Sequence, residues 1–213
     1  MIEITKDLYQ FSLYIPPIDF TIHQYLLASD PAILFAAGTC QQAASIIPGL
    51  RRILHGRPLS YVFVSHMESD EAGGLFLLHK EFPDLKVIAA PLTARELPGF
   101  GYTGEIIVKK GGESLAEGNL SLEFLDYPSE VHLQNGLLPF EKKRGILYSA
   151  DLFLRFGNGS GKVMDCDWEK EVDTIPEERV PAEKMRTSLQ DRLKCISPTF
   201  IAVGHGTCMK MEK

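Results

Sequence analysis

The sequence predicts an α/β fold built as a four-layer αββα sandwich, and three observations carry that prediction. Strand-like runs open the chain, a βαβ stretch follows, and strands followed by a helix and a strand recur towards the C-terminus, making two similar halves. The run Tyr61-Val62-Phe63-Val64 is too continuously apolar for a half-exposed strand and reads as a central one covered on both faces. No linker-like stretch and no solenoid period divides the 213 residues, so residues 1–213 read as a single domain.

Taken in order, residues 2–14 mix alternating and continuous apolar positions and read as strand. Residues 21–28 and 32–36 are short apolar runs set off by Pro16-Pro17, Asp30-Pro31 and Gly38. From Thr39 to about Leu54 the spacing of Ala43, Ala44, Ile46, Ile47, Leu50 and Ile53 is helical, with Pro48 expected to break or kink the helix. The 61–64 strand ends at Ser65-His66. A helix is predicted from near Asp70, where acidic residues suit the dipole, with Leu75, Leu77, Leu78 and Phe82 as its apolar face and Pro83 as its stop. Lys86–Ala89 is a strand and Leu92–Leu97 a short helix. Strands are then expected at 105–109, 120–126, 129–133, 137–140 and 145–150. The Gly-rich and then acidic stretch 157–180 reads as a solvated loop or lid. A helix at 181–195 opens on Pro181, and 199–203 is a last strand.

Composition narrows the function. With 45% hydrophobic and 23% charged residues the chain can bury a sizeable core, which excludes a disordered or disulfide-scaffold protein. Its net charge of −6 offers no basic footprint, so no nucleic-acid partner is expected. No apolar run approaches the roughly 18–20 residues of a membrane span, and the N-terminus lacks the basic-then-apolar order of a secretory signal. A cytoplasmic location with no membrane partner is the expectation. The four cysteines (Cys40, Cys166, Cys195 and Cys208) form no CxxC pair and read as thiols of a reducing compartment.

The chemistry concentrates after the central strand. His66, Glu68, Asp70 and Glu71 are four candidate ligands within six residues. In an extended segment alternate side chains point the same way, so His66, Glu68 and Asp70 can converge. Like charges crowded together ionise only at a cost, and a cation removes that cost. Three further candidates end later predicted strands or follow them: His132, Asp151 and His205, the last between Gly204 and Gly206. His23, His55 and His79 have no ligand neighbour and read as ordinary histidines; Tyr148 and Phe153 bracket Asp151 and line a pocket there.

This arrangement resembles the metallo-β-lactamase superfamily, and more closely the diiron domain of flavodiiron proteins and oxygen-binding diiron proteins. Hydrolases of the superfamily carry His-x-His-x-Asp-His in the first motif, whereas Glu68 gives the flavodiiron variant, His-x-Glu-x-Asp. Sixty residues separate Glu71 from His132 and eighteen separate His132 from Asp151, as in that pattern; the fifty-three between Asp151 and His205 are somewhat fewer. The resemblance implies one iron held by His66, Glu68 and His132, another held by Asp70 and His205, and Asp151 bridging them. Where the family places a last histidine this chain has Glu71, so Glu71 either coordinates or hydrogen-bonds a metal-bound water, the catalytic role expected of it.

Two iron ions are the cofactor so implied, with zinc or manganese as alternatives; exchanging imidazole for carboxylate hardens a site towards iron or manganese. Flavodiiron proteins continue into a flavin-binding domain, but only eight residues follow His205, so no flavin is expected on this chain. The expected function is a non-haem diiron protein that binds dioxygen as a sensor or carrier, or reduces dioxygen or nitric oxide. Its electrons would come from a separate rubredoxin- or flavin-type donor; a signalling partner is the counterpart for a sensor. A homodimer is implied by the family's head-to-tail dimers. The alternative is a zinc hydrolase of the same fold, which Glu68 and Glu71 disfavour because neutral ligands better acidify a metal-bound water.

Overall fold

The computed structural model describes residues 1–211. Two mixed sheets are packed face to face with helices outside them, the αββα order expected. The first sheet holds, in spatial order, β1 (Ile2–Thr5), β2 (Leu8–Ile15), β3 (Phe20–Leu27), β4 (Ala32–Phe35), β5 (Leu59–Val64), β6 (Lys86–Ala89) and β7 (Ile106–Val108). Its first three pairings are antiparallel and its last three parallel. The second sheet adds β8 (Ser114–Glu117), β9 (Leu120–Tyr127), β10 (Gly136–Glu141), β11 (Ile146–Tyr148), β12 (Val163–Cys166), β13 (Phe200–Ala202) and β14 (Cys208–Met211). Its spatial order is β12-β14-β13-β11-β10-β9-β8.

The period of two in the strands explains the layers. In β4 and β5, Ile33, Phe35, Tyr61 and Phe63 face the core between the sheets, where they meet Phe124, Leu138, Phe140 and Leu147 of the second sheet. The intervening Leu34, Val62 and Val64 face outwards against α1 (Cys40–Leu54) and the helix Leu75–Glu81, which contribute Ala43, Ile46, Leu50, Leu75 and Leu78. β5 is thus covered on both faces. No helix among the described residues is long and apolar enough to cross a membrane.

Several elements differ from expectation. α1 runs unbroken through Pro48, which gives up one backbone hydrogen bond in a helix otherwise secured by a Thr39–Gln42 capping box. The helix expected from Asp70 is split into α2 (Ser69–Ala72) and α3 (Leu75–Glu81). At the break Gly74 passes so close to α1 that an added Cβ would lie 2.5 Å from that of Ala43. After α4 (Pro91–Glu96), the strand expected at 129–133 is instead a single 3₁₀ turn, Glu130–His132, followed by Leu133 and Gln134 at positive φ. Val131 and Leu133, whose alternation suggested a strand, are exposed. The 157–180 stretch is more ordered than a loop. It contains β12, which pairs with the distant β14, and α5 (Trp168–Asp173), capped by Asp167; α6 (Glu183–Lys194) follows. β8 and β14 were not foreseen.

Candidate metal centre

β9, β11 and β13 run in one direction through the second sheet, so the segments after them emerge along one edge, and the segment after β5 meets them there from the first sheet. His66 follows β5 directly, and Ser65 fixes that exit by bonding the opposite sheet: its hydroxyl donates to the Leu137 carbonyl at 2.7 Å and its carbonyl accepts from the Leu137 N–H at 3.1 Å. Glu68 precedes α2, and Asp70 and Glu71 lie in its first turn. The 3₁₀ turn after β9 delivers His132, and the turns after β11 and β13 deliver Asp151 and His205.

Six of the seven expected side chains converge. Asp151 lies at the centre: its Oδ2 is 3.6 Å from His66 Nε2 and 3.4 Å from His132 Nε2, while its Oδ1 is 3.0 Å from His205 Nε2. Glu68 spans the first pair, with Oε2 3.7 Å from His66 Nε2 and Oε1 3.5 Å from His132 Nε2. Asp70 Oδ2 is 3.5 Å from His205 Nε2. The imidazoles of His66 and His132 are stacked with centroids 3.5 Å apart. His66, Glu68, His132 and Asp151 can each turn one ligand atom to within 4.8 Å of all the others.

These spacings fit cations better than hydrogen bonds. Among the described residues, both nitrogens of His66 and of His132 are buried without a hydrogen-bond partner, an expensive state unless something else satisfies them. Ligand atoms about 2.1 Å from one cation stand roughly 3.0–3.4 Å apart at octahedral or tetrahedral angles, close to the separations found. The donor set of imidazoles and carboxylates therefore fits a metal pair, with Asp151 facing both positions.

The charges agree. The imidazoles of His132 and His66 beside the Glu68 carboxylate hold its pKa down to about 2. Burial would raise that of Asp151, but His132 and His205 outweigh it and hold Asp151 far below the usual carboxylate range. Burial lowers the affinity of His132 for a proton, yet Asp151 and Glu68 prevail and raise its pKa to about 9; His205 is raised for the same reason by Asp151 and Asp70. Imidazoles held among carboxylates in this way bind a proton strongly and are equally placed to give it up to a metal.

Glu71 stands apart from the other six. It is buried, its Oε2 accepts the Ser65 N–H at 3.1 Å, and its Oε1 accepts the Tyr148 hydroxyl in a short hydrogen bond. Burial pushes its pKa up to about 7.

The sequence did not disclose the support behind His205. Its Nδ1 bonds the Thr21 carbonyl at 3.1 Å, which fixes the tautomer and leaves Nε2 for the site, and Phe20 stacks on the ring. His23, expected to be ordinary, bonds the Gly206 carbonyl through Nε2 at 2.7 Å and Ser12 through Nδ1 at 2.8 Å, so it braces the loop that carries His205. The glycine segment 157–161 is pinned to the same hairpin: Thr21 Oγ donates to the Gly157 carbonyl and accepts from the Gly159 N–H. Trp168 packs edge-on against Phe153. Cys208 lies beside the Tyr25 hydroxyl in the core, away from the ligand set.

A family profile described as ODP family beta lactamase matches residues 20–206. The putative diflavin flavoprotein A 1 of Nostoc sp. is 31% identical over 164 residues, covering 72% of this chain and 27% of that protein. The rubredoxin-oxygen oxidoreductase of Megalodesulfovibrio gigas is 22% identical over 151 residues, covering 70% of this chain and 37% of that one. The solved rubredoxin oxygen:oxidoreductase of Desulfovibrio gigas superposes with a TM-score of 0.80 at 18% identity, over 98% of this chain and 57% of that chain. The chain thus spans between a quarter and two fifths of these curated relatives.

Proposed function

Because the chain belongs to the ODP family of β-lactamase-like proteins and has the metallo-β-lactamase sandwich of flavodiiron cores, we propose that it holds two iron ions and uses them to bind or reduce dioxygen or nitric oxide. The observation that carries this reading is the position of Asp151, one oxygen turned to His66 and His132 and the other to His205. One carboxylate facing two sets of donors is the arrangement of a bridge between two ions. His66, Glu68 and His132 would hold one ion and Asp70 and His205 the other. When bound, the pair supplies reversible one-electron chemistry towards a diatomic gas.

The protein's own residues keep that pair in place and dry. His66, His132 and His205 are buried, and Glu68 is the most exposed of the ligands, its side chain 42% accessible, so the opening lies on its side. Phe20 covers His205, and Tyr127 covers His132 edge-on at 5.5 Å. Glu68 in the first motif favours iron over zinc, as a harder donor set does. Electrons come from a separate rubredoxin- or flavin-type donor, and the protein acts in the cytoplasm.

The test is metal analysis after expression in iron-replete medium, followed by anaerobic reduction and admission of air while absorbance is recorded. About two irons per chain and an oxygen-dependent visible band are expected. Two zinc ions with no iron, or iron whose spectrum ignores dioxygen, would reject the proposal.

A further inference from the structure

Resting on the diiron reading, we propose that Tyr148 and Ser65 withhold Glu71 from the metals and so make the two halves of the centre unequal. His66, Glu68, His132 and the shared Asp151 form a tight position; Asp70 and His205 with the same Asp151 form a weak, exchangeable one.

The argument begins with the oxygens of Glu71. Each already accepts a hydrogen bond, from the Ser65 N–H on one side and the Tyr148 hydroxyl on the other. Turning the carboxylate towards the metals would strand both donors in the interior, where an unmet donor is costly. Neither donor can follow. Ser65 is tied to Leu137 across the sheets through both its hydroxyl and its carbonyl. The ring of Tyr148 is fully buried, stacked on Phe35 at 5.5 Å and met edge-on by Phe63 at 6.2 Å and Tyr25 at 6.1 Å. The Glu71 backbone is held as well, its carbonyl accepting the Ala37 N–H at 2.7 Å.

With Glu71 engaged elsewhere, the ligand counts differ. Beside Asp151, the first position receives three side chains from this chain and the second receives only Asp70 and His205. The ligand atoms of the first set also gather within 4.8 Å of one another. An ion at the second position would have fewer donors from the protein and would therefore be held less tightly. Tyr148 is then a positioning residue: it acts on the metals only through the carboxylate it holds.

The experiment is an anaerobic titration of the metal-free full chain with ferrous iron, following bound metal by equilibrium dialysis, with circular dichroism to confirm folding of each variant. The wild type should fill in two steps, the second at least about tenfold weaker. Glu71→Gln, which keeps the size but is a poorer ligand, should leave both affinities within about threefold. Tyr148→Phe, which frees one carboxylate oxygen without changing the packing, should tighten the second step alone by about tenfold or more. Equal affinities in the wild type, loss of the second ion in Glu71→Gln, or no effect of Tyr148→Phe would each overturn the inference while leaving a dimetal protein. A wild type that binds no iron would instead defeat the functional reading on which it rests.

Discussion

Phe20 lies flat against the imidazole of His205, ring centroids 4.4 Å apart and planes 28° from parallel. The first strand pairings of the chain thus reach the last ligand, which stands 185 positions later. Phe156 also packs against Phe20, tilted, at 5.8 Å. Truncating Phe20 to Ala removes a wall of the His205 pocket but no donor, so retention of metal at the Asp70 and His205 position should suffer more than folding. Iron release into a chelator should quicken severalfold while the melting temperature of the metal-free chain falls only slightly.

On the diiron reading Asp151 serves both metal positions, so its loss should cost both. Asp151→Ala is expected to purify with fewer than about one ion per chain, whereas His205→Ala should keep about one. Elemental analysis of the two variants beside the wild type decides it.

His23 makes the protein sensitive to acid. Burial lowers its pKa from the ordinary 6.5 to about 4, outweighing the Gly206 carbonyl, which favours the protonated ring. Between those values the unfolded chain binds a proton that the folded chain refuses. Stability contributed by this residue is therefore complete above about pH 6.5 and is lost as pH falls towards 4, by about 3 kcal/mol in all. In His23→Gln the drop over that window should be smaller by that amount, as read by denaturant melts of the metal-free protein at several pH values.

Gly206 holds φ at +88°, and a Cβ there would sit 2.3 Å from the Arg155 carbonyl oxygen. Gly206→Ala should cost about 1–3 kcal/mol from backbone strain and displace the neighbouring His205. Lower thermal stability and weaker binding at the second position are both expected; an unchanged melting temperature would contradict the strain.

Thiol reactivity follows burial. Cys40 and Cys195 are exposed, Cys166 and Cys208 buried, and burial pushes the Cys208 thiol up to about 11. A chromogenic disulfide reagent should label two thiols per native chain and all four after denaturation.

Legibility in the sequence followed the range of the interactions. The candidate ligands after β5 were readable because a helix start accounts for Asp70 and Glu71 but not for His66 and Glu68 in the same six positions. His132, Asp151 and His205 were readable from their spacing once a family pattern was in view. The 3₁₀ turn at Glu130–His132 was not, since Val131 and Leu133 mimic strand alternation while pointing to solvent. β12 and β14 escaped because each is short and stabilised by the other across more than forty residues. The braces of His205 are mostly backbone carbonyls and ring faces, at Thr21, Gly206 and Phe20, which leave no mark on residue type. The fate of Glu71 was undecidable for a similar reason: a carboxylate at a ligand position looks the same whether its oxygens meet a metal or a tyrosine.

The donors gathered at the mouth of the sandwich come from separate stretches of polypeptide, three from positions 66–70 and three from positions 132, 151 and 205. A ribosome that has released only the first hundred or so residues has made half of the binding set and none of the shared carboxylate. On the diiron reading, ion capture would have to wait for synthesis of the final strands, and the metal content of a preparation would count the molecules in which both halves have closed on one another.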